Sequence, residues 1–248
     1  MTIGYDNLEF NKHILLDLPF REGTGTVTQD VAKPHHPMTM VDPGGGSFVW
    51  TSLDTGKMVL QFNAIGGGGT DGVYINCVAA SSTDLNFTTE NYSVGCWFNW
   101  DSTGGQSELL IGRYSTQVDG WDMYLNISGG LNTLSQRHHH SSLGASNLKS
   151  ECYSTGWTPG EWHFMGMSRT GLFTPHYRNG VALDMTYDDN GMLDPDTASR
   201  DLSIGTRGTT KDANWFRDLM SRPRVWGDIA LTSDDWLLLY EMDKGWFT

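Results

Sequence analysis

From Ile14 to Trp226 the chain is a succession of strand-length runs cut by glycine-bearing turns, a rhythm that leaves little room for anything but β-structure. Ile14–Phe20 closes on Glu22-Gly23-Thr24-Gly25, and Phe48–Trp50 and Met58–Phe62 flank the hairpin signal Asp54-Thr55-Gly56-Lys57. Gly66–Gly69 and Asp71-Gly72 lead into Val73–Val78. In the next run Val94, Cys96, Phe98 and Trp100 alternate with Ser93, Gly95, Trp97 and Asn99, which turns one set inward and sends Trp97 to the other face. Leu109–Arg113 and Trp121–Ile127 follow, joined by a polar loop with Asp119-Gly120. Then comes a meander of Trp162–Ser168, Phe173–Arg178 and Val181–Met185, and finally Leu202–Gly205 and Leu219–Trp226. Asn179-Gly180 supplies the two positive-φ positions of a type I′ turn within the meander. Only Ser233–Met242 reads as helix, with Thr232 or Ser233 as cap and Asp234 and Asp235 at the positive end of its dipole. The Ser-, Asn-, His- and Gly-rich stretch 129–155 is expected as one long loop.

At 248 residues the chain is within reach of one large β-sandwich, and at that size it buries roughly three quarters of its unfolded surface without disulfides. We expect residues 1–13 to form an N-terminal arm and residues 14–248 a single domain. The 29 acids against 16 bases argue against nucleic acid, because displacing counterions from phosphate takes clustered Lys and Arg. That acidity either serves solubility or gathers loop carboxylates as calcium ligands. No run approaches the roughly 20 apolar residues of a membrane helix, and the first residues carry no secretory pattern. Cys77, Cys96 and Cys152 are too few for a disulfide framework. Cys96 is expected as a buried thiol. Cys152 is placed in a polar loop, where a bridge to Cys77 stays open.

Four stretches, in order, carry a family resemblance: Phe20-Arg21-Glu22-Gly23-Thr24-Gly25, Tyr92-Ser93-Val94-Gly95-Cys96-Trp97, Trp162-His163 with Tyr177-Arg178-Asn179-Gly180, and Asp218 through Leu239-Tyr240. Together they resemble the laminin-G-like, concanavalin A-like lectin/glucanase superfamily over nearly the whole chain. The resemblance implies an all-β, antiparallel two-sheet jelly-roll β-sandwich with one short C-terminal helix. Arg21 departs from the pattern, which has an acid there, and the 129–155 stretch is unusually long. Relatives often carry a structural calcium between the opening turn and the closing strand, which points to Glu22, Asp30 and Asp218 here. The same fold hosts glycan binders, glycosidases and structural modules, so function has to come from sites.

Retaining glucanases with this sandwich place acids at alternate positions of one strand, so that two carboxyl groups stand about 5–5.5 Å apart. No Glu-x-Asp-x-Glu pattern exists here; Glu241-Met242-Asp243 follows the helix and lacks a third acid. Gly67-x-Gly69-x-x-Gly72 spells a dinucleotide fingerprint but precedes a strand, so no helix N-terminus meets a phosphate. His138-His139-His140 and His35-His36 are expected as exposed loop clusters, and His163 as a hydrogen-bonded structural residue. Trp50, Trp100, Trp121, Trp157 and Trp215 fall at strand ends or in loops, where they are candidates for stacking on sugar rings.

The leading expectation is a non-catalytic structural or adhesive protein of an extracellular assembly, a viral (phage) particle surface or decoration protein with glycan adhesion. Its partners would be further copies of itself, as a trimer, and a particle shell protein, with the 1–13 arm and Trp246-Phe247 as docking elements. A free-standing lectin module, calcium-dependent or not, is the alternative, and a glycoside hydrolase without the usual acids is third. A virion surface suits a chain without a leader; cytoplasmic residence or non-classical export is the alternative location.

Overall fold

In a computed structural model of the chain, residues 8–44, 46–64, 72–101, 107–128, 130–141, 149–187, 191–207 and 214–247 are described. They contain β1 (Ile14–Asp17), β2 (Val27–Gln29), β3 (Pro37–Val41), β4 (Gly46–Ser52), β5 (Met58–Ala64), β6 (Tyr74–Cys77), β7 (Tyr92–Asn99), β8 (Glu108–Ser115) and β9 (Asp119–Ser128). Beyond these lie β10 (Leu131–His139), β11 (Lys149–Thr155), β12 (Trp162–Arg169), β13 (His176–Arg178), β14 (Val181–Ala182), β15 (Thr186–Tyr187), β16 (Leu202–Ile204), β17 (Leu219–Gly227) and the helix α1 (Ser233–Asp243). One antiparallel sheet runs β14-β13-β12-β7-β17-β5-β4, with β1 also on β17; the other runs β15-β11-β10-β9-β8-β16-β6-β3-β2. The chain is a β-sandwich.

Alternation in β7 explains how one sheet serves two cores. Val94, Cys96, Phe98 and Trp100 enter the layer between the sheets, with Met123, Leu125 and Ile204. Trp97 points to the opposite face, where it joins Phe164, Trp226, Trp236 and Phe247 beneath α1. The Thr232 side chain and Asp235 form a reciprocal capping box at the start of α1. Trp236 lies flat on a glycine pair: Gly95 and Gly166 face each other across β7 and β12. A Cβ at Gly166 would stand 2.2 Å from the Trp236 ring, and one at Gly95 2.7 Å.

The 129–155 stretch corrects the sequence reading. It contains β10 and β11, paired from Thr133–Thr155 to His139–Lys149. The turn between β8 and β9 is shorter than expected, with Asp119 and Gly120 already in β9. Cys77, Cys96 and Cys152 are free and buried. Cys152 sits in β11 rather than in a loop, five strands from Cys77 in its sheet. That is on the order of 24 Å at the usual strand spacing, far beyond disulfide reach. Of the expected arm, residues 1–7 lie outside the described residues, while Leu8 and Phe10 pack into the core under α1. Phe247, expected to meet a neighbour, stacks on Trp97 of its own chain at 4.2 Å and 17°.

Candidate functional site

The structure buries four of the five tryptophans proposed for stacking; the fifth, Trp50, is partly buried, edge-on to Phe20 and donating to the Gly25 carbonyl at 3.3 Å. Trp100 and Trp121 are fully enclosed, and Trp157 and Trp215 are each 5% exposed. Trp100 packs on Trp157 at 5.3 Å; Trp121 sits against Phe87 and donates to the Leu85 carbonyl at 2.9 Å. Trp215 covers the bare backbone of Gly72, where a Cβ would come within 2.1 Å of its ring. Large rings at strand ends contribute most by covering the open ends of the core, and that use leaves no face for a sugar.

The three acids implied as calcium ligands each serve a different loop. Asp30 accepts from four donors: the backbone N–H groups of Asp17, Ala32 and His36, and the His36 ring. Glu22 accepts from Gln29 N at 2.7 Å and Thr28 Oγ1 at 3.2 Å. Asp218 accepts from Asp101 N at 2.9 Å. Among the described residues no three His, Cys, Asp or Glu side chains stand together as a metal-holding group, so Glu22, Asp30 and Asp218 do not converge.

Of the histidines expected as exposed, only His35 is exposed; His36 and His138 to His140 are buried. His138, His139 and His140 are buried in or just after β10. His138 donates from Nδ1 to the Leu193 carbonyl at 2.7 Å, which makes Nε2 the acceptor for the Tyr92 hydroxyl at 2.7 Å. Gln136 in turn donates to the Tyr92 oxygen at 2.9 Å. Burial pulls His138 down to about 3, so it is the neutral ring this chain of bonds requires. His36 is buried between Asp30 and Asp84. His163 is hydrogen-bonded to the Thr158 carbonyl at 2.8 Å.

Two charged groups on the sheets are structural in character. Arg137, Asp122 and Glu151 lie in register on β10, β9 and β11. Arg137 makes a two-pronged ion pair with Asp122 and lies 3.8 Å from the Tyr124 ring centre. This pairing holds the Asp122 carboxyl well below the usual range although burial opposes it. Glu108 and Asp218 bring two carboxyl groups from separate elements towards each other. Burial pushes Glu108 up to about 8, helped by the Asp218 charge, and burial likewise pushes Asp218 up to about 6. Glu108, however, is only 2% exposed and accepts from Arg217 N at 3.1 Å. In this position Glu108 joins β8 to the segment leading into β17.

The surface feature best suited to a ligand is a cleft of about 290 Å³ lined by Arg21, Lys57, Arg222, Asp243 and Trp246. Its backbone is unusual. Phe20 and Arg222 both have left-handed φ, 50° and 52°, which non-glycine residues seldom adopt and which gathers at functional sites. Arg222 belongs to a bulge where the β17–β7 register shifts between Ser221 and Arg224. Pro223, without an N–H, is tolerated there for the same reason. The bulge aims Arg222 at Asp243, 2.7 Å away, and towards Asp17 at 3.4 Å. Arg224 reaches the other Asp243 oxygen at 2.6 Å.

Lys57, at the end of the β4–β5 turn, donates to the Pro19 carbonyl at 3.0 Å. Burial, then the nearby Arg222 and Arg21, pull its ammonium down to about 8. Arg21 is exposed and makes no hydrogen bond or ion pair with any described residue. Trp246 is 48% exposed, and its carbonyl is held by the Thr55 hydroxyl at 2.8 Å. The cleft therefore joins a half-exposed aromatic side chain to three cationic side chains on an acidic protein. Two local signals could have pointed to it: the Arg21 departure, noted above, and the Arg222-Pro223 pair inside a strand, which was passed over; Trp246 was read only as a docking end.

Comparison with known structures places this architecture. The binding domain of botulinum neurotoxin serotype C1 is similar at a TM-score of 0.64 and 12% identity, over 94% of this chain and 53% of that one. A botulinum neurotoxin type C structure, described as depending on two ganglioside molecules for cell entry, is similar at 0.61 and 14%, over 96% and 53%. The fold is a lectin-like β-sandwich. Domain 4 of AbnA, an extracellular arabinanase from Geobacillus stearothermophilus solved with arabinotriose, is similar at 0.59 and 16%, and here the match spans 92% of this sandwich and 98% of that domain. The chain spans about half the length of the neurotoxin binding domains it matches. No protein-family model matches the sequence, and no curated protein does.

Proposed function

We propose that this chain is a non-catalytic carbohydrate-binding module of the laminin-G-like, concanavalin A-like kind, and that sugar docks in the cleft between Arg21 and Trp246. The observation that carries the reading is Trp246, half-exposed in a small cleft beside Arg21 and the held side chains of Lys57 and Arg222. An aromatic face stacks on the C–H surface of a sugar ring while a few placed polar groups orient it. The match to an arabinotriose-bound domain along nearly its whole length supports the same reading. The support is for a module, not for a particle subunit: Phe247, which was to dock on a neighbour, docks on its own sheet.

The test is titration of the purified chain with arabinotriose and a panel of neutral and acidic oligosaccharides, followed by NMR and calorimetry. Saturable binding should appear for at least one saccharide and vanish in Trp246→Ala, which removes a largely solvent-facing ring and leaves the fold intact. Binding to none of them, or undiminished binding by Trp246→Ala, overturns the reading. Release of reducing ends from a bound oligosaccharide would overturn its non-catalytic part.

A further inference from the structure

We infer that the sugar taken by this cleft is acidic: a residue bearing a carboxylate, seated with its ring on Trp246 and its carboxylate between Arg21, Lys57 and Arg222. The inference rests on the cleft being the carbohydrate site and adds the ligand's chemical class. The chain holds only 16 Lys and Arg against 29 acids, yet three of those cations line one cleft. Holding like charges together costs energy unless carboxylates or a bound anion compensate them.

Among the described residues, the carboxylates of this cleft pair with Arg222 and not with Arg21 or Lys57. Asp17 and Asp243 are buried and turned onto Arg222 and Arg224. Arg21 is exposed and has no described partner, and Lys57 is bound only to a neutral carbonyl, that of Pro19. Both side chains line the cleft. Arg222 is held by its bulge and by two aspartates, so little side-chain freedom is lost when an anion arrives.

The chemistry favours a carboxylate on a sugar over a free ion. A guanidinium fork and an ammonium recognise the oxygens of a planar carboxylate by charge-assisted bonds. A small inorganic anion would have no use for the half-exposed indole beside them. The volume lies near the low end for ligand sites, about 300–1,000 Å³, and so suits one terminal or side-branch sugar rather than a chain enclosed along its length.

Two matched pairs of probes decide it: sialyllactose against lactose, and tri-galacturonate against its methyl ester, by calorimetry at low and physiological salt. The acidic member of a pair should bind at least ten times more tightly, and the advantage should shrink with added salt. Arg21→Gln, a change at an exposed side chain, should lower the acidic affinity towards the neutral one while leaving the near-ultraviolet circular dichroism unchanged. Equal binding of acidic and neutral members through Trp246 overturns the inference and leaves the module reading standing. Binding of no saccharide overturns both. An undiminished acidic preference in Arg21→Gln, or displacement by sulfate alone at equal affinity, overturns the placement of the carboxylate.

Discussion

His36 offers a measurement in which the sign and window of a pH effect follow from geometry. Its ring is enclosed, with Nδ1 2.8 Å from Asp30 Oδ2 and Nε2 2.9 Å from Asp84 Oδ1. Only the imidazolium can donate from both nitrogens. Burial alone would lower its pKa, but the two carboxylates outweigh burial and raise it from 6.5 to about 9. A folded pKa above the unfolded one means that the clamp stabilises fully below pH 6.5 and that this contribution disappears as pH rises from 6.5 through 9. A shift of that size corresponds to roughly 3 kcal/mol. Asp84 is 39% exposed on its side chain, so its share is screened and about 2 kcal/mol is the value to expect.

His36→Gln keeps a polar side chain but cannot titrate. Urea unfolding of both proteins at pH 6 and pH 10 gives the stability gap between them at each pH, and groups common to both, Lys57 included, cancel in the difference. The gap should narrow by about 2 kcal/mol between the two pH values. In a chain of this length that equals a change of roughly 4–8 °C in the Tm difference. Ring-proton NMR of His36 should show a midpoint near 9. A gap that stays level to within about 0.5 kcal/mol, or a midpoint below 7, would refute the clamp.

Gly166→Ala should destabilise the sandwich by about 2–3 kcal/mol in thermal or urea melts, because its Cβ would meet the Trp236 ring at 2.2 Å; an unchanged melt would mean that the ring moves aside freely. Glu108 has a folded pKa raised to about 8, so stability is present while it is protonated and falls as pH rises from 4.5 towards 8. Glu108→Gln should therefore outlast the parent above pH 8, by up to roughly 5 kcal/mol, and parallel curves from pH 5 to 9 would refute the assignment. Removing one member of the Asp122–Arg137 pair, by Asp122→Asn or Arg137→Met, should cost about 3–5 kcal/mol, with the double variant costing less than the sum; strict additivity in a double-mutant cycle would show that the two do not act as a unit.

What hydropathy could reveal, it revealed. The Val94 to Trp100 alternation, the Asn179-Gly180 turn with φ of 52° and 80°, and the Thr232-capped helix are all present. The reading went astray wherever the inward side chains were polar. β10 turns Leu134, Gln136 and His138 inward, and β11 turns Cys152 and Ser154 inward; Ser154 bonds to His176 at 3.0 Å. These strands alternate as faithfully as β7, but two of every three inward positions on β10 form hydrogen bonds rather than apolar contacts. A scale that scores each residue alone takes such a strand for a loop, because a polar side chain becomes an interior one only through a partner elsewhere in the chain. Tyr92 supplies that partner for His138 from 46 positions away. The same blindness, with opposite sign, misplaced the tryptophans. A ring at a strand end looks available until the loop that covers it is known. The local signals nearest the cleft are residues that break a pattern, Arg21 in an acid's place and Pro223 within a strand, and the second was passed over. Side chains that obey the alternation are accounted for by the core. Those that violate it have to be explained by something outside it, and for this cleft the explanation proposed is a saccharide.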